Sequence, residues 1–362
     1  MASKKGENAG SYHGRRTVLL LGPGTGVSGG MDAVISQLAA EQDIIGYNLV
    51  RIPTYLGGGA IGKIAVFMKS VLSTLRYMPS SSCRVLHIHS SSGFSFARKS
   101  VLAMIGLAFR KKVILHMHGG GFEAYYYKSP APLRAYIRWI LSMCTVVALS
   151  ESWERFFRQV CGCRDVVVIG NPVRLQKPIH RHSGRQPTIV FMGGFAGNKG
   201  SLDLAKAACS VKREKFSIVL AGSGDQSAAR EILSQCGLSG RVTFAGWVTG
   251  REKDKILSGA DMMILPSYNE GLPMSLIEAM SVGVPVAASR VGGIPDLLGN
   301  GSRGLLFSPG NVPEIASAIK RLVSSPSLRA RLSGKARDYV SRKHDSRVIA
   351  ADVRKLYGRL WE

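Results

Sequence analysis

Short apolar runs broken by glycine turns alternate with helix-period segments along most of the chain. Thr17 to Gly24 (TVLLLGPG) has the continuous apolar character of a strand buried on both faces. GTGVSGGMDAVISQLA then turns through glycines into a helix at about Met31. Further buried strands are predicted at RVLHIHS, KVILHMHGG, VVALS and VVVIGNPV. The pattern restarts at Thr188 with TIVFMGG, followed by FSIVLAGSG, RVTFAGW, MMIL and VPVAAS. Helix-period segments fall between them, among them Ile61 to Met78, Arg98 to Lys112 and a helix start after Ser150, a plausible N-cap. Strand and helix in alternation predict an α/β protein, with TIVFMGG opening a second Rossmann-like unit.

The segment from Ala260 to Asp296 is the most informative. MMIL is closed by Pro266 and Ser267, and a polar turn Tyr268-Asn269-Glu270-Gly271 leads to a helix from about Pro273 to Val282. Gly283 stops that helix, Pro285 bars its continuation, and VPVAAS follows as a strand. The loop therefore lies at the carboxyl end of a strand, where open parallel sheets bind ligands. Glu270 and Glu278 are separated by eight residues, roughly 12 Å of helix, close to the length of a nucleotide sugar from hexose to ribose. Gly271 lets backbone approach a ligand, and the free N–H groups of the helix start can hold an anion. Taken singly, Glu270 is equally a helix-start acid and Glu278 a solvated helix residue.

Pro266-Ser267, Glu270 and Glu278 at E-x7-E spacing, Gly283-x-Pro285-Val286 and Gly292-Gly293 together resemble the signature of the family-four retaining glycosyltransferases of GT-B fold. The resemblance is dense from Gly193 to Gly310 and thinner before Asn171. It implies two Rossmann-like domains with a cleft between them. Residues 1–170 would form the acceptor-side domain, 171–187 a linker, 188–343 the nucleotide-sugar domain, and helix 344–362 would cross back to the first. In this reading Glu278 holds the ribose, while Lys199 and the N–H groups near Leu272, Met274 and Ser275 stabilise the departing diphosphate. Glu270 and His118 orient the sugar. Gly29-Gly30, Gly193, Gly222, Gly224, Val248 and Gly271 complete the donor site. Neither a metal nor a cofactor is implied beyond the substrate, a UDP or GDP type sugar. Two positions depart from the family: Asp296 stands for the Glu that follows Gly-Gly, and Gly194 for the Arg of an Arg-Lys pair.

Other chemistry stays open on the residues alone. Gly24-x-Gly26-x-x-Gly29 matches the dinucleotide fingerprint, and Arg51, where an acid would hold a ribose, suits a 2′-phosphate, so an NADP-dependent oxidoreductase is one alternative. A GT-B-fold nucleotide-sugar epimerase is another. His87, His89, His116 and His118 alternate on two strands; zinc is conceivable there, but no carboxylate lies near in sequence.

The 362 residues carry 48 Lys and Arg against 23 Asp and Glu, a net charge of +25. Between Arg51 and Arg138 the cations face a single acid, Glu123, and aromatics interleave with Lys128, Arg134 and Arg138. That pattern favours an anionic membrane surface and a lipid-linked saccharide acceptor, as in exopolysaccharide assembly. A basic nucleic-acid-binding module is the remaining alternative, though no helix-turn-helix, RNA-recognition or zinc-finger pattern supports it. Met1 to Arg16 reads as neither signal peptide nor anchor, and no apolar run reaches the ~18 residues of a membrane span. Six scattered cysteines read as reduced thiols, and a peripheral protein at the cytoplasmic membrane face is expected.

Overall fold

The structure, a computed structural model, describes residues 16–27, 29–177, 186–195 and 197–362. The N-terminal segment read as neither signal nor anchor lies outside the described residues except for Arg16, as do residues 178–185 of the expected linker. Two parallel six-stranded sheets organise the rest. The first contains β1 (Thr17–Pro23), β2 (Asn48–Tyr55), β3 (Cys83–Ser90), β4 (Lys112–Met117), β5 (Thr145–Ala148) and β6 (Val166–Val168), in the order β2-β1-β3-β4-β5-β6. The second contains β7 (Thr188–Met192), β8 (Ser217–Ala221), β9 (Val242–Gly246), β10 (Met262–Leu265), β11 (Val286–Ser289) and β12 (Leu305–Phe307), in the order β12-β11-β10-β7-β8-β9. The chain reverses direction across each sheet once, between β1 and β3 and again between β7 and β10. A crevice opens at the carboxyl ends of the strands at such switch points, and here the two crevices meet.

Near-continuous apolar strands follow from burial on both faces: β1, β10 and β11 are buried at every position. The last helix, Ser346–Trp361, belongs to the core of the first sheet. Its Ile349, Val353, Tyr357 and Trp361 are buried with Val18, Leu20 and Val85.

Two local expectations need correcting. The segment expected as a helix from Arg98 to Lys112 runs from Phe94 to Ala108, because Lys112 already pairs with Val85 in the sheet. The helix Ala60–Tyr77, which the sequence left free to lie on a membrane or to pack on the sheet, buries Ser70 and Thr74 and turns Ile61, Ile64, Met68 and Leu72 outward. Finally, the cysteines are not all free thiols. Helices Ser201–Ser210 and Ser227–Gln235 pack together and bring Cys209 and Cys236, 27 residues apart, to a Cα separation of 5.7 Å, where they form a disulfide. Nothing in their spacing marks them as partners, since the contact is made by helix packing. Cys83, Cys144, Cys161 and Cys163 are free and buried. Burial pushes the Cys144 and Cys163 thiols up to about 12, so they are inert as nucleophiles.

Candidate functional site

The loops that leave β1, β3, β4, β7, β8, β9 and β10 converge on one cavity of about 690 Å³ between the sheets. Every site residue expected from the sequence lies in its wall except Gly224. From the first sheet come Gly29, Gly30 and His118. From the second come Gly193, Lys199, Gly222, Val248, Glu270, Gly271, Leu272, Met274, Ser275 and Glu278. Gly224 instead shapes the turn after β8, where its φ of +108° is one that glycine adopts most readily and a Cβ would lie 3.4 Å from Phe195.

Glu270 and Glu278 both line this cavity, and each is held by a lysine from another segment of the chain. Glu270 is buried, and its Oε1 accepts from Lys199 Nζ at 2.6 Å and from Ser267 Oγ at 2.8 Å. Lys199 ends the short turn Gly197–Lys199, and that turn is tied to the Glu270 loop by Tyr268 N donating to Asn198 O. Glu278 Oε1 accepts from Lys253 Nζ at 2.6 Å. Lys253 is the residue that sequence reasoning missed. It sits in the first turns of helix Gly250–Gly259 and belongs to no motif; only the packing of that helix beside the helix Met274–Ser281 reveals it. The second helix has no side-chain cap. Its first N–H groups therefore remain available to an anion in the cavity beside Leu272, Met274 and Ser275.

Glycines let the two halves of the site touch backbone to backbone. A Cβ on Gly120, in the loop after β4, would lie 2.2 Å from the Glu270 carbonyl carbon. A Cβ on Gly292, whose φ is +53°, would lie 1.8 Å from Glu270 O. The Glu270 turn is thus clamped between the first domain and the Gly292-Gly293 pair, so the carboxylate is placed by main chain on both sides. Polar contacts across the halves reinforce this. Asn171 Nδ2 donates to Leu272 O at 2.7 Å, and Trp153 Nε1 donates to Gly271 O at 3.1 Å. Asp296, the departure from the family's Glu, accepts from Ser152 N at 2.7 Å and from Ser152 Oγ at 2.9 Å. The shorter acid is therefore committed to the start of the helix Glu151–Arg155. Gly194 lines the cavity without a side chain, so Lys199 and Lys253 are the lysines of its wall.

The histidines of β3 and those at the end of β4 form two hydrogen-bonded pairs lying against each other. His89 Nδ1 is 2.8 Å from His118 Nε2, His87 Nε2 is 3.1 Å from His116 Nδ1, and His87 Nδ1 reaches Tyr357 Oη at 2.7 Å. His87, His89 and His116 are a grouping that could present nitrogens to a metal, within 4.8 Å of one another. His89 Nε2 and His116 Nε2 have no partner among the described residues. Burial holds all four imidazoles neutral, pushing His87 and His118 down from 6.5 to about 3. His118, at the cavity wall, is thus a hydrogen-bonding group and not a cation.

The same burial sets an acid sensitivity. A folded-state pKa below the unfolded value means that the unfolded chain binds more protons between the two, so stability rises with pH across that window. For His87 and His118 the window runs from about 3 to 6.5, and His344, lowered to about 4, adds to it. The contribution is whole above pH ~6.5 and drains away below it. The melting temperature is expected to fall steadily as pH is lowered from about 7 to 5; a flat profile over that range would contradict neutral buried imidazoles.

Arg51 does not offer a free cation to a 2′-phosphate. Its guanidinium is bound to Asp32 Oδ1 at 2.5 Å, Pro23 O at 2.6 Å and Ser36 Oγ at 3.1 Å. The dinucleotide fingerprint is therefore left without its ribose-side partner.

Comparison with known proteins agrees with this geometry. Residues 34–177 match the family described as Glycosyltransferase Family 4, and residues 173–339 match Glycosyl transferases group 1. The chain is 33% identical over 156 residues to a 2-deoxystreptamine glucosyltransferase of Streptomyces kanamyceticus, covering 42% of this chain and 40% of that protein. It is 27% identical over 180 residues to a GDP-mannose-dependent alpha-(1-6)-phosphatidylinositol monomannoside mannosyltransferase of Mycobacterium tuberculosis, covering 47% of each. The chain spans about half the length of these curated relatives. Among solved structures, Anabaena HepE in complex with UDP-glucose superposes with a TM-score of 0.72 at 18% identity, over 95% of this chain and 99% of that one. At that identity the likeness shows a shared fold. With the two family matches running end to end from residue 34 to residue 339, the chain belongs to the family-four, group 1 glycosyltransferases of GT-B fold.

Proposed function

We propose that the protein is a retaining glycosyltransferase that moves a hexose from a nucleoside diphosphate sugar to a lipid-linked saccharide at a membrane face. The observation that carries this reading is the pair of carboxylates, Glu270 and Glu278, lining one cavity with a lysine bound to each. Glu278 accepts the ribose hydroxyls. The diphosphate lies at the start of helix Met274–Ser281, against the N–H groups near Leu272, Met274 and Ser275 and the Lys199 ammonium. Glu270 and neutral His118 hold the sugar hydroxyls. As the bond from the sugar to the β-phosphate breaks, its electron pair goes to the phosphate oxygen, and Lys199 and the helix N–H groups stabilise the charge. The acceptor hydroxyl attacks from the same face and passes its proton to the departing phosphate. Glu270 is engaged by Lys199 and Ser267, which suits an orienting role better than that of a nucleophile. Fixed donors supply the charge stabilisation, so the reaction as drawn uses no metal. The two relatives, a glucosyltransferase and a mannosyltransferase by name, support a hexose donor. A thermal-shift panel of UDP-, GDP- and ADP-sugars tests the reading, because a ligand that binds only the folded state raises the melting point. No shift with any of them would overturn it.

The acceptor side is read from the surface. Ile61, Ile64, Met68 and Leu72 form an outward apolar stripe on the helix Ala60–Tyr77, between Lys63, Lys69 and Arg76. Phe94, 90% exposed, lies in the same domain. No described helix is long and apolar enough to cross a membrane. A basic helix with an unpartnered apolar face suits binding to an anionic bilayer, as exopolysaccharide assembly on a lipid carrier requires. The mannosyltransferase relative, whose name specifies a phosphatidylinositol acceptor, supports the same direction. The protein is expected to sediment with phosphatidylglycerol vesicles at low salt and to release them as salt rises. Ile61→Glu with Ile64→Glu should abolish the binding, and failure of the unmodified protein to bind at low salt would remove the membrane from the account.

A further inference from the structure

The helix Phe94–Ala108 has no acid in its first turn, and that turn is followed at once by two adjacent cations within the helix, Arg98 and Lys99. A helix start is electropositive, and helical side chains lean back toward it, so this placement is unfavourable unless something negative arrives. Both side chains do lean back: Arg98 Nε donates to Phe94 O at 3.3 Å, and Lys99 Nζ donates to Ser95 Oγ at 3.0 Å. Lys99 is only 3% exposed; its other hydrogen-bond partner is Met31 Sδ at 3.7 Å, and its charge is felt by His89 and His118. Among the described residues no carboxylate pairs with it; burial and the adjacent Arg98 push its pKa down to about 7. A buried ammonium without a counter-charge costs stability that folding alone does not recover. It lies just behind Met31 and Ser91 of the cavity wall, since Ser91 N also donates to Ser95 Oγ. On the outer side, Arg98 and Lys63 both stand over the Tyr55 ring, at 5.6 and 5.9 Å from its centroid. Phe94, whose carbonyl accepts from Arg98, and Ile61, two residues before Lys63 on its helix, are both exposed.

The order along this surface is sugar cavity, cation cluster, apolar face. A lipid-linked saccharide has the same order: sugar, phosphate, hydrocarbon. We propose that Lys63 and Arg98, both over Tyr55, together with Lys99 at Ser95, form an anion subsite for the phosphate or diphosphate that joins the acceptor's saccharide to its lipid. The inference rests on the lipid-linked acceptor reading above and names where that acceptor is gripped. It is separate from the donor diphosphate, which lies across the cavity against Lys199.

Titration of the full chain with farnesyl diphosphate, with farnesol as the uncharged control, tests the subsite. Farnesyl diphosphate is expected to bind the wild type and the Lys199→Ala variant alike, and farnesol neither. Lys99→Met with Arg98→Gln should weaken farnesyl diphosphate by about tenfold or more, since charge-assisted contacts are lost. Nucleotide-sugar binding should be untouched. Lys99→Met alone should also melt at a higher temperature than the wild type, because the unpaired buried charge is gone. Three results would overturn the subsite: unchanged farnesyl diphosphate affinity in the double variant, loss confined to Lys199→Ala, or phosphatidylglycerol-vesicle affinity falling in step, which would mark a general headgroup contact. Any of these leaves the glycosyltransferase reading standing; that reading falls separately, if no nucleotide sugar binds.

Discussion

Lys199→Ala is expected to lower kcat on the order of 100- to 1,000-fold, the usual loss when one preorganised donor to a developing anion is removed. Lys199 is the leading candidate for that donor because Gly194 withdraws the arginine that would share the task. It is also held in place: Nζ donates to Glu270 Oε1 at 2.6 Å, and the turn that carries it is tied to the Glu270 loop. The loss should fall on kcat more than on donor KM, since the charge it meets is largest as the sugar–phosphate bond breaks. Removing the lysine also leaves a buried carboxylate unpaired, which destabilises the loop. A melting curve beside the kinetics separates the two effects. Lys199→Arg keeps the charge and should recover part of the rate, whereas a purely structural role would leave kcat unmoved in any folded variant.

Glu278→Ala should act on the other quantity. Its carboxylate faces the cavity with Lys253 at 2.6 Å, which keeps one oxygen oriented and the other open to ribose hydroxyls. Hydrogen bonds to a charged acceptor contribute about 1.5–3 kcal/mol each, so donor KM should rise on the order of 10- to 100-fold with kcat changed less. Lys253→Met should reproduce a smaller part of that rise, because the carboxylate remains but loses its anchor. Equal donor KM in wild type and Glu278→Ala would place the nucleoside elsewhere.

Much of this site can be read in the chain because it is built from local signals. Strand ends, glycine turns and the helix start between Pro266 and Gly283 each leave a residue pattern, and the two carboxylates lie in one short segment, Glu270 in the loop before the helix and Glu278 within it. What could not be read depends on packing between distant segments. Lys253 meets Glu278 across two helices, and Cys209 meets Cys236 across two others. Asp296 binds Ser152, 144 residues away. The outward face of helix Ala60–Tyr77 was hidden for a different reason: apolar residues lie on both of its sides, so periodicity alone does not choose which side meets the sheet.

The central claim is that two glutamates grip opposite ends of one activated sugar. Its most direct test is transfer of labelled sugar from the donor that the melting panel selects, comparing the wild type with a folded Glu270→Ala, Glu278→Ala variant. The account predicts transfer by the first and none above background by the second. Wild-type transfer by the double variant would contradict it.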